Sequence, residues 1–94
     1  MPEPLDDAAV DAALADLDGW ERDGAAIHKQ FRFSDFKEAF GFMAHMALVS
    51  EKADHHPDWA NTYNTVTVNL SSHDAGGITQ RDLDWAAAAD RVVG

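Results

Sequence analysis

The amino-acid sequence predicts an α+β fold: a four-stranded antiparallel sheet with three helices packed on one face, in the order α-β-β-α-β-β-α. Extended segments flank the turn signals Asp23-Gly24 and Tyr63-Asn64, which is typical of β-hairpins. Three further segments repeat apolar residues at helical spacing. Because hairpin strands pair antiparallel, a single sheet covered by helices on one face is the simplest layered arrangement.

The first helix is predicted over residues 6–17. Asp6 or Asp7 can cap its N-terminus, where a carboxylate also suits the helix dipole, and Gly19 is suited to ending it. Residues 1–4 before this helix are expected to form a loose end. The apolar residues of the helix fall on one face: Val10, Ala13, Leu14 and Leu17.

The strands are predicted from the alternation of apolar and polar residues. The first hairpin begins with an extended stretch at residues 20–21, and its second strand covers residues 27–33. The second hairpin consists of strands 58–62 and 65–71. Side chains that alternate along a strand share one face of the sheet, so one side of the last strand is expected to be buried. That side consists of Val66, Val68 and Leu70.

The middle helix is expected to be the longest, with Ser34 as its N-cap. It should continue to about Asp54, because Pro57 disfavours a helical conformation at the residue before it, His56. The helix is therefore predicted to end next to a pair of histidines. The apolar face expected for it consists of Phe36, Phe40, Met43, Ala47 and Ser50.

The last helix has a clear start signal. Thr79 is predicted as its N-cap and Asp82 as the third residue of a capping box, while Ile78 and Leu83 occupy the two positions of a hydrophobic staple. The helix should continue through a run of alanines to about Val92.

Composition limits the functions that the chain can serve. Its 94 residues correspond to a single domain, 1–94, and its formal net charge of −10 disfavours direct binding to nucleic acid or anionic membranes. The chain has no cysteine, and no apolar stretch approaches the ~20 residues that span a bilayer. Residues 1–11 lack the basic start and apolar run of a signal peptide, so a cytoplasmic location is expected. A domain this small would gain stability from self-association.

Three of the five histidines lie at the ends of predicted elements. His55 and His56 follow the long helix, and His73 follows the last strand. Because histidine titrates near neutral pH, two imidazoles in one site can act as acid and base. Glu51 precedes His55 by four residues, a spacing that places both side chains on one face of a helix. A carboxylate there could fix the tautomer of the imidazole.

Other interpretations of the same residues stay open at this point. The histidine pair beside a proline could be simple loop polarity, and Glu51 a solvated helix residue. Three histidines and Glu51 could also bind zinc with one open position. However, adjacent histidines seldom ligate one ion together, and no HExxH spacing is present. Trp59 and Tyr63 could present flat faces to a planar ligand or belong to the core of the sheet.

A joint pattern across the chain resembles the pterin-4a-carbinolamine dehydratase family, known in animals as a dimerisation cofactor of a homeodomain transcription factor. The resemblance covers nearly the whole chain and includes Trp20 and the segment Phe31–Phe36. Its most specific parts are Glu51–Trp59, Tyr63-Asn64, Leu70–His73, Gly77–Thr79 and Asp82.

This resemblance implies dehydration of 4a-hydroxytetrahydropterin to quinonoid dihydropterin, without a metal or another cofactor, in a homodimer or homotetramer. It implies His55 and His73 as the acid/base pair, assisted by His56 and Glu51. Ser72 stands where the family usually has threonine, which keeps the hydroxyl. The residues implied to line the pterin pocket are Asp54, Pro57, Trp59, Ser72 and Asp74.

Three alternatives to this activity are distinguishable by experiment. The same fold could serve as a non-catalytic protein-interaction module, as the animal cofactors show. The chemistry could be kept but serve molybdopterin or another branch of pterin metabolism. A metallohydrolase would contain stoichiometric zinc and lose activity in a chelator.

Overall fold

A computed structural model describes residues 3–94 and confirms the predicted order of elements and their α+β arrangement. The helices and strands in chain order are α1 (Asp7–Leu14), β1 (Glu21–Asp23), β2 (Ala26–Arg32), α2 (Phe36–Ala53), β3 (Asp58–Thr62), β4 (Thr65–Leu70) and α3 (Gln80–Val93).

The four strands form one antiparallel sheet with the spatial order β1-β2-β4-β3. The two hairpins are therefore joined by the pairing of β2 with β4, in a register that places Phe31 opposite Val66 and Ile27 opposite Leu70. Residues of β4 alternate between buried and half-buried, as predicted. Beyond the end of β4, Ser72 contacts the first turn of α3, because its hydroxyl donates to Asp82 Oδ2 at 2.9 Å.

The core lies between one face of the sheet and the three helices. From the sheet it takes alternate residues of β2 and β4, and from α3 one face that includes Leu83, Trp85 and Ala86. Aromatic side chains make up much of it: Phe31 packs against Trp20 and Phe42, with ring centroids 5.9 and 4.8 Å away. No helix within residues 3–94 combines the length and apolarity needed to cross a membrane.

Two predictions for the N-terminal part of the chain need correction: the end of the first helix and the loose segment before it. Asp6 caps α1 as predicted, because its carboxylate accepts a hydrogen bond from Ala9 N–H. The helix ends at Leu14, and the chain continues in a turn in which Leu17 N–H donates to Leu14 O, three residues earlier. Of the expected loose end, Met1 and Pro2 lie outside the described residues. The next part is attached to the domain, because Leu5 N–H donates to Ile78 O at 2.8 Å.

The start of α2 also differs from the prediction. Its N-cap is Asp35, whose carboxylate accepts a hydrogen bond from Glu38 N–H at 2.9 Å. The carboxylate of Glu38 in turn accepts from Ser34 N–H at 3.0 Å. Asp35 caps better than the predicted Ser34 here because it allows this reciprocal pair of bonds.

The buried face of α2 is only partly the predicted one: Ser50 is buried and Met43 packs against the core as expected, but the face is rotated at its N-terminal end. Ala39, Phe42, Met46 and Ser50 are buried, whereas Phe36 and Phe40 are exposed. The helix itself carries apolar residues on most of its sides, so two adjacent faces fit helical spacing equally well. Packing of α2 against β4 and α3, which spacing along the chain does not encode, selects between them.

Candidate active site

The end of α2 positions the two adjacent histidines. Asp54 is the C-cap and adopts a left-handed conformation with φ of 52°, which turns the chain sharply at that point. The turn is closed by a hydrogen bond of 3.0 Å from His55 N–H to Ser50 O. As a result His55 points into the protein while His56 stays on the surface.

His55 is paired with a buried carboxylate. Its Nε2 lies 2.5 Å from Oδ1 of Asp82, at the start of α3. The side chain of His55 is 8% exposed and that of Asp82 is 0% exposed. A carboxylate in such a place requires full hydrogen bonding to offset its desolvation.

The other oxygen of Asp82 has two further partners. Oδ2 accepts hydrogen bonds of 2.9 Å from Ser72 Oγ and from Thr79 N–H. The hydroxyls of Ser72 and Thr79 are themselves 2.7 Å apart. This confirms the predicted capping box of α3 and shows that Asp82 also joins the end of α2 to the end of β4.

The second ring nitrogen of His55 remains free. Within residues 3–94 no side chain or backbone group is bonded to Nδ1, and no fully buried side-chain nitrogen or oxygen is left without a partner. Nδ1 therefore retains access to solvent. When Nε2–H donates to Asp82, the lone pair of a neutral imidazole is on Nδ1, so this nitrogen can accept a proton.

A cleft of about 290 Å³ opens beside His55, between the C-terminal half of α2 and the first turns of α3. Its residues are Val49, Ala53, His55, Arg81, Asp84 and Trp85. A larger and more open groove, of about 840 Å³, runs along β2. Of the three histidines at the element ends, His55 lines the smaller cleft, and none lines the larger groove.

His56 and His73 are on the surface. The Nε2 of His56 lies 3.2 Å from Glu51 Oε1, and the Nε2 of His73 lies 3.6 Å from Asp58 Oδ2. Their side chains are 59% and 80% exposed, so these pairs contribute little to stability. Their exposure does leave both imidazoles accessible to a ligand.

Arg81 links the loop after β4 to α3. Its guanidinium donates to Asp74 Oδ1 at 2.6 Å. This hydrogen bond, reinforced by the charges of Arg81 and His55, lowers the pKa of the Asp74 carboxyl. The charges of Arg81 and His55 therefore both act on Asp74. The negative charges of Asp82 and Asp54 also act on Arg81.

Removing the guanidinium should reverse the shift at Asp74. In Arg81→Gln we expect the pKa of Asp74, followed by NMR titration of its carboxyl carbon, to rise toward its ordinary value. Because folding lowers this pKa, the pair stabilises the fold at neutral pH and loses that effect as pH falls through the folded-state pKa. The acid side of the unfolding profile should therefore flatten in the variant, and an unchanged Asp74 titration would contradict the assignment.

The predicted pairing of Glu51 with His55 is wrong. The four-residue spacing assumes a helix through residue 55, but α2 ends at Ala53 and the left-handed Asp54 redirects the chain. Glu51 therefore meets His56. The carboxylate that contacts His55 comes from Asp82, 27 residues further along the chain.

Of the predicted pocket residues, Asp54 and Asp74 are exposed and Pro57 is half-buried. Ser72 is buried, and its hydroxyl is hydrogen-bonded to Asp82 and Thr79 instead of facing an open pocket. The half-buried Trp59 packs edge-on against Trp85 at 6.0 Å, beside the core.

Sequence reasoning missed the roles of Asp82 and Arg81 in the site. The local sequence indicates Asp82 only as a capping residue, and Arg81 carries no signal of its own. The one available clue is that Asp82 belongs to the pattern shared with the dehydratases.

Together, fold and site define a small α+β domain in which one buried histidine, His55, pairs with a buried carboxylate where α2, β4 and α3 meet. Within the described part of the chain, no group of three or more His, Asp or Glu side chains is arranged to hold a metal ion. The sequence profile of the family described as Pterin 4 alpha carbinolamine dehydratase matches residues 3–92. The chain belongs to this family.

Two similar proteins support the assignment. A protein of Rhodospirillum rubrum is 50% identical over 96 aligned positions that cover all of both chains. One from Afipia carboxidovorans is 55% identical, covering 99% of this chain and 95% of the relative. Both carry the provisional name pterin-4-alpha-carbinolamine dehydratase.

Two solved structures share the fold. A protein described as a transcriptional coactivator/pterin dehydratase from Brucella melitensis superposes with a TM-score of 0.96 and is 42% identical, covering 98% of this chain and 100% of its own. A pterin dehydratase-like RuBisCO assembly factor of the alpha-carboxysome gives a TM-score of 0.66 at 21% identity, covering 80% and 87%. The second likeness shows the fold alone.

Proposed function

We propose that this protein dehydrates a 4a-hydroxytetrahydropterin to the quinonoid dihydropterin during recycling of a pterin cofactor. The observation that carries the proposal is the pairing of buried His55 with Asp82, which leaves Nδ1 of His55 free beside a cleft of ligand-like size. Family membership supplies the substrate class.

The reaction needs one proton acceptor and one proton donor. His55 Nδ1 takes the proton from the ring nitrogen next to the hydroxylated carbon, and the lone pair left on that nitrogen forms the new C=N bond. The carbon–oxygen bond breaks as its oxygen is protonated, and water leaves. No electrons are exchanged with a second reagent, so the step requires no redox cofactor. A positioned acid or base is worth about 10²–10⁴-fold in rate.

The proton donor comes from the exposed histidines His73 and His56. A protonated His56 can pair through Nε2–H with Glu51 and keep Nδ1–H for the substrate. A protonated His73 has the carboxylate of Asp58 nearby, at 3.6 Å from Nε2. Asp54, Pro57 and Asp74 stay the predicted contacts of the ligand. Ser72 and Trp59 act by holding Asp82 and Trp85 in place.

Self-association and location are further parts of the proposal. A homodimer or homotetramer is supported by exposed apolar side chains on α2: Phe36, Phe40 and Leu48. The acidic surface continues to argue against direct contact with nucleic acid or membranes, and we propose a cytoplasmic protein.

The second candidate is a protein-interaction module. It is favoured by the fold shared with a protein described as an assembly factor and with one described as a coactivator. We rank it below catalysis because a binding surface has no need of a histidine whose tautomer is set by a buried carboxylate.

Rapid-mixing kinetics on freshly formed 4a-hydroxytetrahydropterin test the proposal. We expect the wild-type protein to accelerate dehydration in the presence of a chelator, and His55→Ala and His73→Ala each to lower kcat by about 10²-fold. His28→Ala, on the opposite side of the sheet from the core, is the control and should keep its activity. Wild-type rates in both variants would refute the site, whereas a stable protein partner without turnover would favour the interaction module.

A further inference from the structure

We propose that Pro4 and Leu5 are positioning residues, which hold the loop of His73 in the place where this histidine donates its proton. The inference rests on the proposed function, in which His73 is one of the two proton donors. It adds to that function a segment that is far from His73 in sequence and close to its loop in space.

The side chain of His73 has little packing of its own. It is 80% exposed, and its contact with the carboxylate of Asp58 is long, at 3.6 Å from Nε2 to Oδ2. A general acid must be within hydrogen-bond reach of the atom that it protonates. An exposed imidazole meets this condition reproducibly only if the backbone that carries it is fixed, so the supports of its loop bear directly on the reaction.

Residues 72–77, which we call the His73 loop, form one closed unit. Ser72 and Gly77 pair across its base, with a hydrogen bond of 2.8 Å from Ser72 N–H to Gly77 O and one of 3.3 Å from Gly77 N–H to Ser72 O. Within the loop, Ala75 N–H donates to Ser72 O at 3.0 Å, and Gly76 N–H donates to His73 O at 3.3 Å. Because these bonds couple the two arms of the loop, a shift of Gly77 is passed on to His73.

The segment before α1 packs directly on the Gly77 arm of the loop. Leu5 N–H donates to Ile78 O at 2.8 Å, and the side chain of Leu5 packs against the core. Pro4 covers Gly77 so closely that a Cβ atom built on this glycine would lie 3.0 Å from Pro4 Cβ. Glycine suits such a close approach because it has no side chain. Pro4 and Leu5 therefore restrict the Gly77 arm by contact and by a hydrogen bond.

The same segment is itself anchored by α1. The next residue, Asp6, caps the helix by accepting from Ala9 N–H at 2.8 Å, and its carbonyl accepts from Val10 N–H at 3.1 Å. The side chain of Val10 is fully buried in the core. The ring of Pro4 fixes its own φ and so removes one backbone freedom from the segment. Residues 4 and 5 thus extend from a fixed helix and can act as a rigid support for the His73 loop.

The experiment changes the volume on each side of the contact between residues 4 and 77. Gly77→Ala adds a methyl group against Pro4, whereas Pro4→Gly combined with Gly77→Ala removes the opposing ring and makes room for that methyl group. We expect Gly77→Ala to lower kcat for dehydration about tenfold while KM stays within about twofold, because a small misplacement of a reacting group is costly. The double variant should recover to within about threefold of the wild-type kcat.

NMR relaxation of ¹⁵N-labelled protein reports on the loop independently of turnover. The backbone amides of residues 73–76 should gain mobility in Gly77→Ala and return to wild-type order in the double variant. The proton of neutral His55 should stay on Nε2 in all three proteins, because its hydrogen bond to Asp82 is left in place. This second signal separates a displaced His73 loop from damage to the buried pair.

Gly41→Ala is the matched control, since it is the same substitution at a position of α2 where, among residues 3–94, the new methyl group meets open space. It should keep both kcat and the order of the His73 loop. In a catalytically active protein, the inference would be overturned if Gly77→Ala left the loop or kcat unchanged, if the double variant failed to recover both, or if His55 changed its tautomer. A wild-type protein that fails to dehydrate the carbinolamine, with a loop that still responds to the substitutions as expected, would refute the proposed function and leave the support by residues 4 and 5 standing.

Discussion

Replacing Asp82 by asparagine is expected to lower kcat for dehydration by about 10²–10⁴-fold, because it reverses the tautomer of His55. Thr79 N–H can only donate, so the single oxygen of the new amide must face Thr79 and Ser72, which now contact Oδ2. The amide NH₂ then faces His55 Nε2 and donates to it. The proton of the neutral imidazole moves to Nδ1, and the nitrogen next to the cleft can no longer accept one.

The tautomer can be observed directly. Nitrogen NMR of ¹⁵N-histidine-labelled protein should show the proton of neutral His55 on Nε2 in the wild type and on Nδ1 in Asp82→Asn. A role of Asp82 limited to capping α3 would change stability and leave this signature unaltered.

The matched control is Asp90→Asn, the same substitution on the same helix but away from the site. Asp90 accepts from Lys29 at 2.9 Å and from the indole N–H of Trp20 at 3.2 Å, so this variant should lose stability and keep its activity. If Asp82→Asn kept kcat within about threefold of the wild type, His55 would not be the base, since positioned bases contribute far more than this.

The features of the fold that local chemistry determines could be predicted from the sequence. The capping box between Thr79 and Asp82 involves residues three positions apart, and the turn at Tyr63-Asn64 is set by neighbouring residues. Alternation along β4 likewise identified its buried face correctly. In each case the interacting groups are so close in sequence that the rest of the fold has little influence on them.

The candidate site was predicted only in part, because its decisive contact is not local. The sequence indicated His55, but the identity of its partner depends on where α2 ends. One left-handed residue, Asp54, separates the predicted Glu51 pair from the observed pair with Asp82. Arg81 and Asp84 line the cleft beside His55 only because α3 packs against the end of α2, and hydrophobic periodicity does not encode this packing.

The buried face of α2 was predicted only in part for a related reason, and stability measurements can show which side of the helix is packed. Met46 is 0% exposed on the face against the core, whereas Leu48, two residues further on the same helix, is 75% exposed. Met46→Ala should lower the free energy of unfolding by about 2–5 kcal/mol, because it removes buried methylene and sulfur contacts and leaves a cavity.

Leu48→Ala is the matched control, since it also shortens a large apolar side chain to a methyl group in the same helix. It should change the free energy of unfolding by no more than about 0.5 kcal/mol in denaturant titrations, as is usual for exposed positions. A larger loss in Leu48→Ala than in Met46→Ala would mean that the opposite face of α2 packs against the sheet. The position of Ser50 beneath Trp85, and with it the shape of the cleft, would then be wrong as well.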